Sequence, residues 1–226
     1  MSLTQYDRLS KRIADRCDVG WAKRTFDLLF SLIGLILLAP LFLLVASVIK
    51  GTSRGPVFFR QERVGRMFRP FHIYKFRTMI EGAHRMGPPI TASNDVRITR
   101  VGRLLRASKM DELPQLINVL KGEMSIVGPR PEVRKYVDLY TPLEREILTL
   151  RPGITDWASI RFRHEEASLA RSGMHGGDAA YTEQILPKKL ALQVQYVRQH
   201  TLWGDLQIIV ATLRALFAHP EKGGIL

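Results

Sequence analysis

From Leu28 to Ile49 the chain runs for twenty-two residues without a charge, LLFSLIGLILLAPLFLLVASVI, and every fold open to it must place that segment. At about 1.5 Å per residue a straight helix of this length is about 33 Å long, enough to cross a bilayer core of about 30 Å. A single spanning anchor is the plain expectation. Two features favour another arrangement. Pro40 lies mid-run, and a proline inside a helix removes a hydrogen bond and kinks it, which here leaves arms of about 18 and 14 Å, each about half a bilayer. Basic residues also flank both ends, Lys23 and Arg24 before the run and Lys50, Arg54 and Arg60 after it. Lys and Arg beside a membrane segment favour the cytoplasmic side, so both ends are expected there. A Pro-kinked re-entrant helix over residues 23–50, with Ser31 and Gly34 available to pack or satisfy the backbone near the bend, meets both conditions.

Residues 1–22 are a mixed, charged lead-in with Leu9 and Ile13 on one helical face. The apolar run starts too late, is too long and lacks the small-residue cleavage site of a signal peptide. Residues 51–226 suffice for one domain with a core and leave no room for two large ones. The single cysteine, Cys17, excludes an internal disulfide, and His164-Glu165-Glu166 lacks the second histidine of a zinc helix. The expected class is α+β and helix-rich: a compact cytosolic domain with a small β element, attached to the re-entrant helix and to interfacial amphipathic helices.

VFFRQERV and PFHIYKFRTM read as two short strands joined around Gly65 to Pro70. In the second, Lys75 and Arg77 are two apart and project from one face, either as phosphate ligands or as a solvated or lipid-headgroup face. Residues 81–99 are rich in Gly, Pro, Ser and Asn and form a lid or a plain connector. VGRLLRASKM then supplies a helix with Arg103 and Arg106 one turn apart. Between residues 50 and 110 there are fourteen Lys or Arg against three acids, Glu62, Glu81 and Asp95, so this segment carries +11 of the net +13. Such a surplus calls for an anionic partner.

The two adjacent carboxylates Asp111 and Glu112 follow directly. Pro114 fits the first position of a helix LPQLINVL that stops at Gly122, with Leu113 pushed out of α conformation. The pair then sits just ahead of a helix N-terminus, where carboxylates or phosphates are favoured. On that ground alone simple capping is the stronger explanation, and Ser108 with Asp111 has capping-box spacing. Arg130 comes next, in Gly128-Pro129-Arg130-Pro131-Glu132, where two prolines stiffen the backbone and the guanidinium has the fork geometry that suits phosphate.

KMDELPQLINVLKGEMSIVGPRPE resembles the signature of the bacterial sugar transferases, the small monotopic polyprenyl-phosphate phosphoglycosyl transferases. The similarity extends through GPVFFRQERVGR, FHIYKFRTM and RPGITDWA, over roughly residues 23 to 215. One departure stands out: the family usually reads Gly-Ile-Thr-Gly-Trp where this chain has Gly153-Ile154-Thr155-Asp156-Trp157. The resemblance implies a kinked re-entrant helix and a two-step reaction. Asp111 attacks the β-phosphorus of a nucleoside diphosphate sugar, with uridine as the expected base. Polyprenyl (undecaprenyl) phosphate then takes the sugar phosphate from the covalent aspartyl intermediate. It also moves Lys75 and Arg77 towards the site, where with Arg106 and Arg130 they would hold phosphate. Mg²⁺ is expected because a diphosphate approaching an anionic nucleophile needs a hard cation, with Asp111 and Glu112 as its ligands. Glu112 is left with three roles: metal ligand, orienter of Asp111, or base.

Downstream, Pro131 opens a helix to about Tyr140, and Thr141-Pro142-Leu143-Glu144 is a capping box for another ending before Pro152. Trp157 to Phe162 reads as a short strand. Residues 163–187 are polar, suited to substrate-specific variation or a partner surface. In the tail, Trp203, Ile208, Ile209, Leu213, Leu216 and Phe217 form an apolar stripe, either core or interfacial. The expected partners are a nucleotide-sugar donor, a polyprenyl phosphate acceptor and membrane lipid, with a homodimer admitted and nucleic acid not. The expected location is the cytosolic face of a bacterial inner membrane. A basic nucleic-acid-binding protein explains the charge but not residues 28–49. A non-catalytic membrane anchor explains that run but not the carboxylate pair among cations.

Overall fold

The structure is a computed structural model that describes residues 20–83, 86, 95–163, 179 and 181–217. The lead-in up to residue 19, most of the 81–99 connector and much of the polar 163–187 segment lie outside the described residues.

The apolar run is carried in α1, Gly20–Thr52, with Pro40 inside it and exposed. The hydroxyls of Ser31, Ser47 and Thr52 donate to carbonyls one turn back, at Leu28, Leu43 and Val48, so these polar residues cost the helix little. One stripe faces the rest of the protein: Asp27, Ser31, Val45 and Ile49 are buried, and Leu35, Leu38, Leu41 and Phe42 pack partly against the core. At Gly34 an added Cβ would sit 3.2 Å from Leu116 Cδ1, so the glycine permits close approach. The remaining circumference, including Leu29, Ile33, Ile36, Leu37, Leu43 and Leu44, is exposed. By length and composition this helix can cross a membrane, with a mean hydropathy of 2.9 over its most apolar window. So large an apolar face is a membrane or partner surface rather than a solvated one.

The expected hairpin is present. β1, Phe58–Val64, pairs antiparallel with β2, Pro70–Phe76, in the register Phe58 opposite Phe76 to Val64 opposite Pro70. The connection closes with Gly65 N–H donating to Arg69 O at 2.9 Å, and Met67 and Phe68 take left-handed φ of 55° and 60°. Phe71 and Ile73 point into the main core beside Val119, Met124 and Val127. Phe76 joins Val45, Ile49 and Leu105 in a second cluster under the far end of α1.

α2, Arg100–Ala107, is capped by Thr99, whose Oγ1 accepts from Gly102 N–H. It packs so closely that a Cβ on Gly102 would lie 1.9 Å from Thr78 O. A 3-10 turn, Met110–Glu112, leads into α3, Gln115–Lys121, which ends at Gly122 with φ 81°, the left-handed stop expected of glycine. Two expectations fail here. Leu113 is helical (φ −55°, ψ −34°), because the 3-10 turn runs on into α3 through Leu113 N–H to Met110 O and Leu116 N–H to Leu113 O. Ser108 caps nothing downstream; its hydroxyl turns back to Leu104 O and Leu105 O at the end of α2.

β3, Ser125–Val127, and β4, Gly153–Thr155, form a parallel pair that sequence reading missed. Gly128 and Gly153 make it possible, since a Cβ on Gly153 would meet Gly128 N at 2.1 Å. Between them lie α4, Arg134–Val137, and a 3-10 helix, Glu144–Thr149. The helix expected from Pro131 is thus confined to four residues, because Val64 N–H binds Glu132 O and Val133 stays extended at ψ 152°. The Thr141–Glu144 capping box forms reciprocally: Glu144 accepts from Thr141 N–H at 2.7 Å and donates its own N–H to Thr141 Oγ1.

Residues 157–161 are a helix, α5, Trp157–Arg161, and not the expected strand. Asp156 ends β4 and caps α5, its Oδ1 accepting from Ser159 N–H at 2.6 Å. After a short π turn, Tyr181–Ile185, the tail forms α6, Leu186–Gln199, and α7, Leu202–Phe217, separated at the extended His200. The tail stripe divides: Ile208 is buried and Ile209 packs on the core, whereas Trp203, Leu213 and Leu216 are exposed, in a row with Leu206 and Val210.

Candidate active site

Asp111 and Glu112 occupy the 3-10 turn between α2 and α3, preceded by Lys109 in a left-handed conformation (φ 58°) that turns the chain sharply at the end of α2. Both side chains point inward. Asp111 is 7% exposed, and its Oδ1 is buried without a hydrogen-bond partner. Glu112 is fully engaged: Oε1 accepts from Lys75 Nζ at 2.8 Å and from the Arg130 guanidinium, and Oε2 accepts from Arg130 at 3.0 Å. Arg130 therefore binds Glu112 through both prongs of its fork.

The two carboxylates are driven apart. Burial alone would raise Glu112, but Arg130 and then Lys75 outweigh it and hold the group well below the usual carboxylate range. Asp111 lacks such direct pairing; burial, and next the Glu112 charge, push it up to about 6 against partial relief from Lys75, Lys109 and Arg106. Burial also lowers Lys75, with Glu112 opposing. The result is one carboxylate locked in an ion cluster and another, buried beside it, with an unsatisfied oxygen.

Three elements set this geometry. Lys75 comes from β2, whose outer edge is closed by Asn118 of α3. That side chain accepts from Tyr74 N–H at 3.0 Å and donates to His72 O and Glu123 Oε2, each at 2.7 Å. Asn118 thus fixes the strand bearing Lys75 against the helix that follows the acidic pair. Arg130 comes from the Gly128–Glu132 loop. Gly128 N–H donates to Thr155 O (3.1 Å), Gly153 N–H to Pro129 O (2.9 Å) and Arg63 to Pro131 O (3.1 Å). Glu132 is buried where Arg63, Lys189 and Tyr181 converge. Burial would raise it, but Lys189 and Arg63 keep it lowered.

Lys75, Arg130 and, through its charge, Arg106 are thus assembled around Asp111 and Glu112. Arg106 Nε donates to Thr78 Oγ1 at 3.0 Å. Arg77 is placed differently: it is buried and donates to Ser53 O and Oγ at the end of α1, at 2.8 and 2.7 Å. Sequence reading missed Asn118, Glu132 and the role of Asp156. For Asp156 the departure from the Gly-Ile-Thr-Gly-Trp pattern that the resemblance implies is the signal; Asn118 and Glu132 lie inside the motif that carries the resemblance, but their partners are distant along the chain, so nothing local assigns them a role.

Among the described residues no group of three or more His, Cys, Asp or Glu side chains comes together as a metal cage. The orphan Oδ1 of Asp111 nonetheless fits a hard divalent cation that takes one or two protein carboxylates and completes its shell with water and phosphate oxygens.

The bacterial sugar transferase profile matches residues 19–219. The chain is 39% identical over 206 residues to a UDP-glucose:undecaprenyl-phosphate glucose-1-phosphate transferase of Caulobacter vibrioides, covering 89% of this chain and 72% of that protein. It is 38% identical over 203 residues to a UDP-N-acetylgalactosamine-undecaprenyl-phosphate N-acetylgalactosaminephosphotransferase of Aeromonas hydrophila, covering 87% of this chain but 44% of that protein. It is 35% identical over 212 residues to the exopolysaccharide production protein ExoY of Rhizobium meliloti, covering 87% and 86%. The carboxylate pair, the PRPE loop and the long apolar helix all lie inside the matched region, and the chain belongs to the bacterial sugar transferase family.

Proposed function

We propose that the protein is a membrane-bound phosphoglycosyl transferase that moves a sugar 1-phosphate from a uridine diphosphate sugar to undecaprenyl phosphate. The observation that carries this reading is the division of the acidic pair: Glu112 is neutralised by Arg130 and Lys75, while Asp111 beside it keeps a buried oxygen with no partner.

Asp111 attacks the β-phosphorus of the donor; the bond from that phosphorus to the bridging oxygen breaks, and nucleoside monophosphate leaves with the bond electrons. The aspartyl-phosphosugar so formed is then attacked at the same phosphorus by an oxygen of the lipid phosphate. This frees the Asp111 carboxylate and yields the lipid diphosphate sugar. With its pKa at about 6, Asp111 is mostly ionised at pH 7 and is a stronger base than an ordinary aspartate. Mg²⁺ bound through Asp111 Oδ1 would screen the approaching phosphates and stabilise the leaving one. Glu112, with both oxygens occupied, suits the role of anchoring Arg130 and Lys75 beside the reacting phosphate rather than that of metal ligand or base. Arg106 adds positive charge from α2.

The acceptor explains the apolar helix. Undecaprenyl phosphate keeps its tail in the leaflet and its phosphate at the surface, and α1, re-entrant at Pro40, would hold Asp111 at that height on the cytosolic face of the inner membrane. The exposed row of α7 suits an interfacial position beside it.

The test is release of uridine monophosphate by the full chain in detergent, over a panel of UDP-sugars with undecaprenyl phosphate and Mg²⁺. Release that needs the lipid phosphate, and loss of both release and trapped sugar phosphate in Asp111→Asn, is the expected result. No release with any donor, or near-normal turnover in Asp111→Asn, would refute the reading.

A further inference from the structure

We propose that Asp156 is a positioning residue for the transfer reaction, holding the Arg130 backbone so that the guanidinium meets Glu112 with both prongs. The inference rests on the transferase reading above. Asp156 is 1% exposed and its two oxygens face different ways. Oδ1 accepts from Ser159 N–H and caps α5; Oδ2 accepts from Arg130 N–H at 3.2 Å and from Gln193 Nε2 at 2.8 Å.

The Arg130 amide is a special donor. Pro129 and Pro131 on either side carry no N–H, so between Gly128 and Glu132 it is the one backbone donor by which the loop can be held. The β3–β4 pairing reaches only as far as Gly128 N–H to Thr155 O and Gly153 N–H to Pro129 O. Asp156 extends that pairing by one residue with a side-chain oxygen. A glycine at this position would offer none. Gln193 then ties the same oxygen to α6, and α6 also presents Lys189 to Glu132 at 3.5 Å. Both shoulders of the Arg130 turn are therefore braced from one helix, and the second brace exists only because residue 156 is an aspartate. An arginine fork tolerates little displacement on a carboxylate before it loses one prong, and loss of such an outer support typically costs about 10- to 100-fold in activity.

The rival explanation is that Asp156 only caps α5. Asp156→Ser separates the two, since serine is as good a helix cap but its single short hydroxyl cannot also reach Arg130. The experiment uses the full chain in detergent with undecaprenyl phosphate, Mg²⁺ and whichever UDP-sugar the wild type turns over. It measures kcat, donor KM and the melting temperature of Asp156→Ser, Asp156→Gly and Arg130→Lys, and of the Asp156→Ser/Arg130→Lys pair. Asp156→Ser is expected to melt close to the wild type, lose about tenfold in kcat and change KM by less than about twofold. Asp156→Gly should lose the same rate and also melt earlier. In the Arg130→Lys background the serine substitution should add little, because residues acting through one another are not additive. Wild-type rate in Asp156→Ser, or losses that simply multiply in the double variant, would overturn the positioning role while leaving the transferase reading intact. A wild type silent towards every donor would overturn the transferase reading, and this role with it.

Discussion

Asp111→Asn should make the protein more stable while removing its activity, and the gain should depend on pH. Burial, and next the Glu112 charge, raise Asp111 from 3.8 to about 6 in the folded chain. A carboxylate with a raised folded pKa binds a proton in the folded state that the unfolded state has already released. Wild-type stability therefore declines as pH climbs from about 4 to about 6, and the full penalty stands above that window. At about 1.4 kcal/mol for each tenfold change in proton affinity, the rise from 3.8 to about 6 corresponds to about 3 kcal/mol. Asparagine has no charge to bury but brings an amide that needs partners, so the net gain expected near pH 7.5 is about 1 to 3 kcal/mol. At about 2 to 4 °C per kcal/mol for a chain of this size, the melting temperature should rise by several degrees. The assay is thermal unfolding of both proteins in one detergent, with a chelator present, from pH 4.5 to 8. The curves should converge at the acid end and separate through pH 6. Added magnesium should narrow the gap by stabilising the wild type alone, because the asparagine offers no carboxylate oxygen to the ion. A variant less stable than the wild type by the same margin at every pH would refute the reasoning, because it would mean that Asp111 is a structural partner and not a strained reactive group.

Arg130→Lys keeps the charge but not the fork, and should lower kcat about 10- to 100-fold in the uridine monophosphate release assay; an unchanged rate would show that the two-pronged contact with Glu112 is dispensable. Arg24→Ala should lose about 1.5 to 3 kcal/mol in thermal unfolding, because the guanidinium donates to Val119 O and Leu120 O at the end of α3, at 2.7 and 3.1 Å. Gly153→Ala drives a Cβ to within 2.1 Å of Gly128 N and should cost about 3 kcal/mol or more, with loss of activity as the Arg130 loop moves.

Strand alternation and turn glycines are the local signals that the fold follows. Alternating residues and the Gly65–Pro70 turn specify the hairpin, and Gly122 marks the end of α3 because only a left-handed stop satisfies its last carbonyls there. The acidic pair is visible as two carboxylates in a cation-rich stretch, Lys75 by its place on a strand face, and Arg130 by the prolines that flank it. Strand periodicity groups Arg77 with Lys75, but β2 ends at Phe76, and past that point the same-face rule no longer binds; the Arg77 guanidinium donates to Ser53. The strand expected at 157–162 failed for a similar reason. Trp, Ile and Phe favour strands, and that propensity lost to one cap, Asp156 to Ser159 N–H. β3 and β4 are three residues each and pair through glycines far apart in the chain, so neither has a pattern of its own to read. Asn118 and Glu132 belong to that class: a buried polar residue is explained by partners that folding brings from elsewhere.

The way α1 is attached yields a test of the proposed re-entrant arrangement. Near its start, Lys23 pairs with Asp205 of α7, Arg24 holds the end of α3, and Asp27 accepts from Ser125 Oγ and Ile126 N–H of β3, each at 3.0 Å. Near its end, Val45 and Ile49 pack with Phe76 and Leu105, and Ser53 accepts from Arg77. Both ends are thus bound to one folded domain, whereas a spanning helix would have to put about 30 Å of hydrocarbon between the two points of attachment. Charged anchors such as Lys23 and Arg24 at one end and Arg77 at the other could not both reach that domain across a bilayer without heavy desolvation cost. Cysteines introduced as Trp21→Cys and Arg54→Cys in a Cys17→Ser background should therefore react with an impermeant reagent from one face of the membrane only, the face that carries the catalytic domain. Labelling from opposite faces would mean that one set of these contacts breaks on insertion. Because the first set grips α3 and β3, the segments on either side of the turn between the acidic pair and Arg130, the site would then have to loosen as well, and catalysis and membrane insertion would exclude each other.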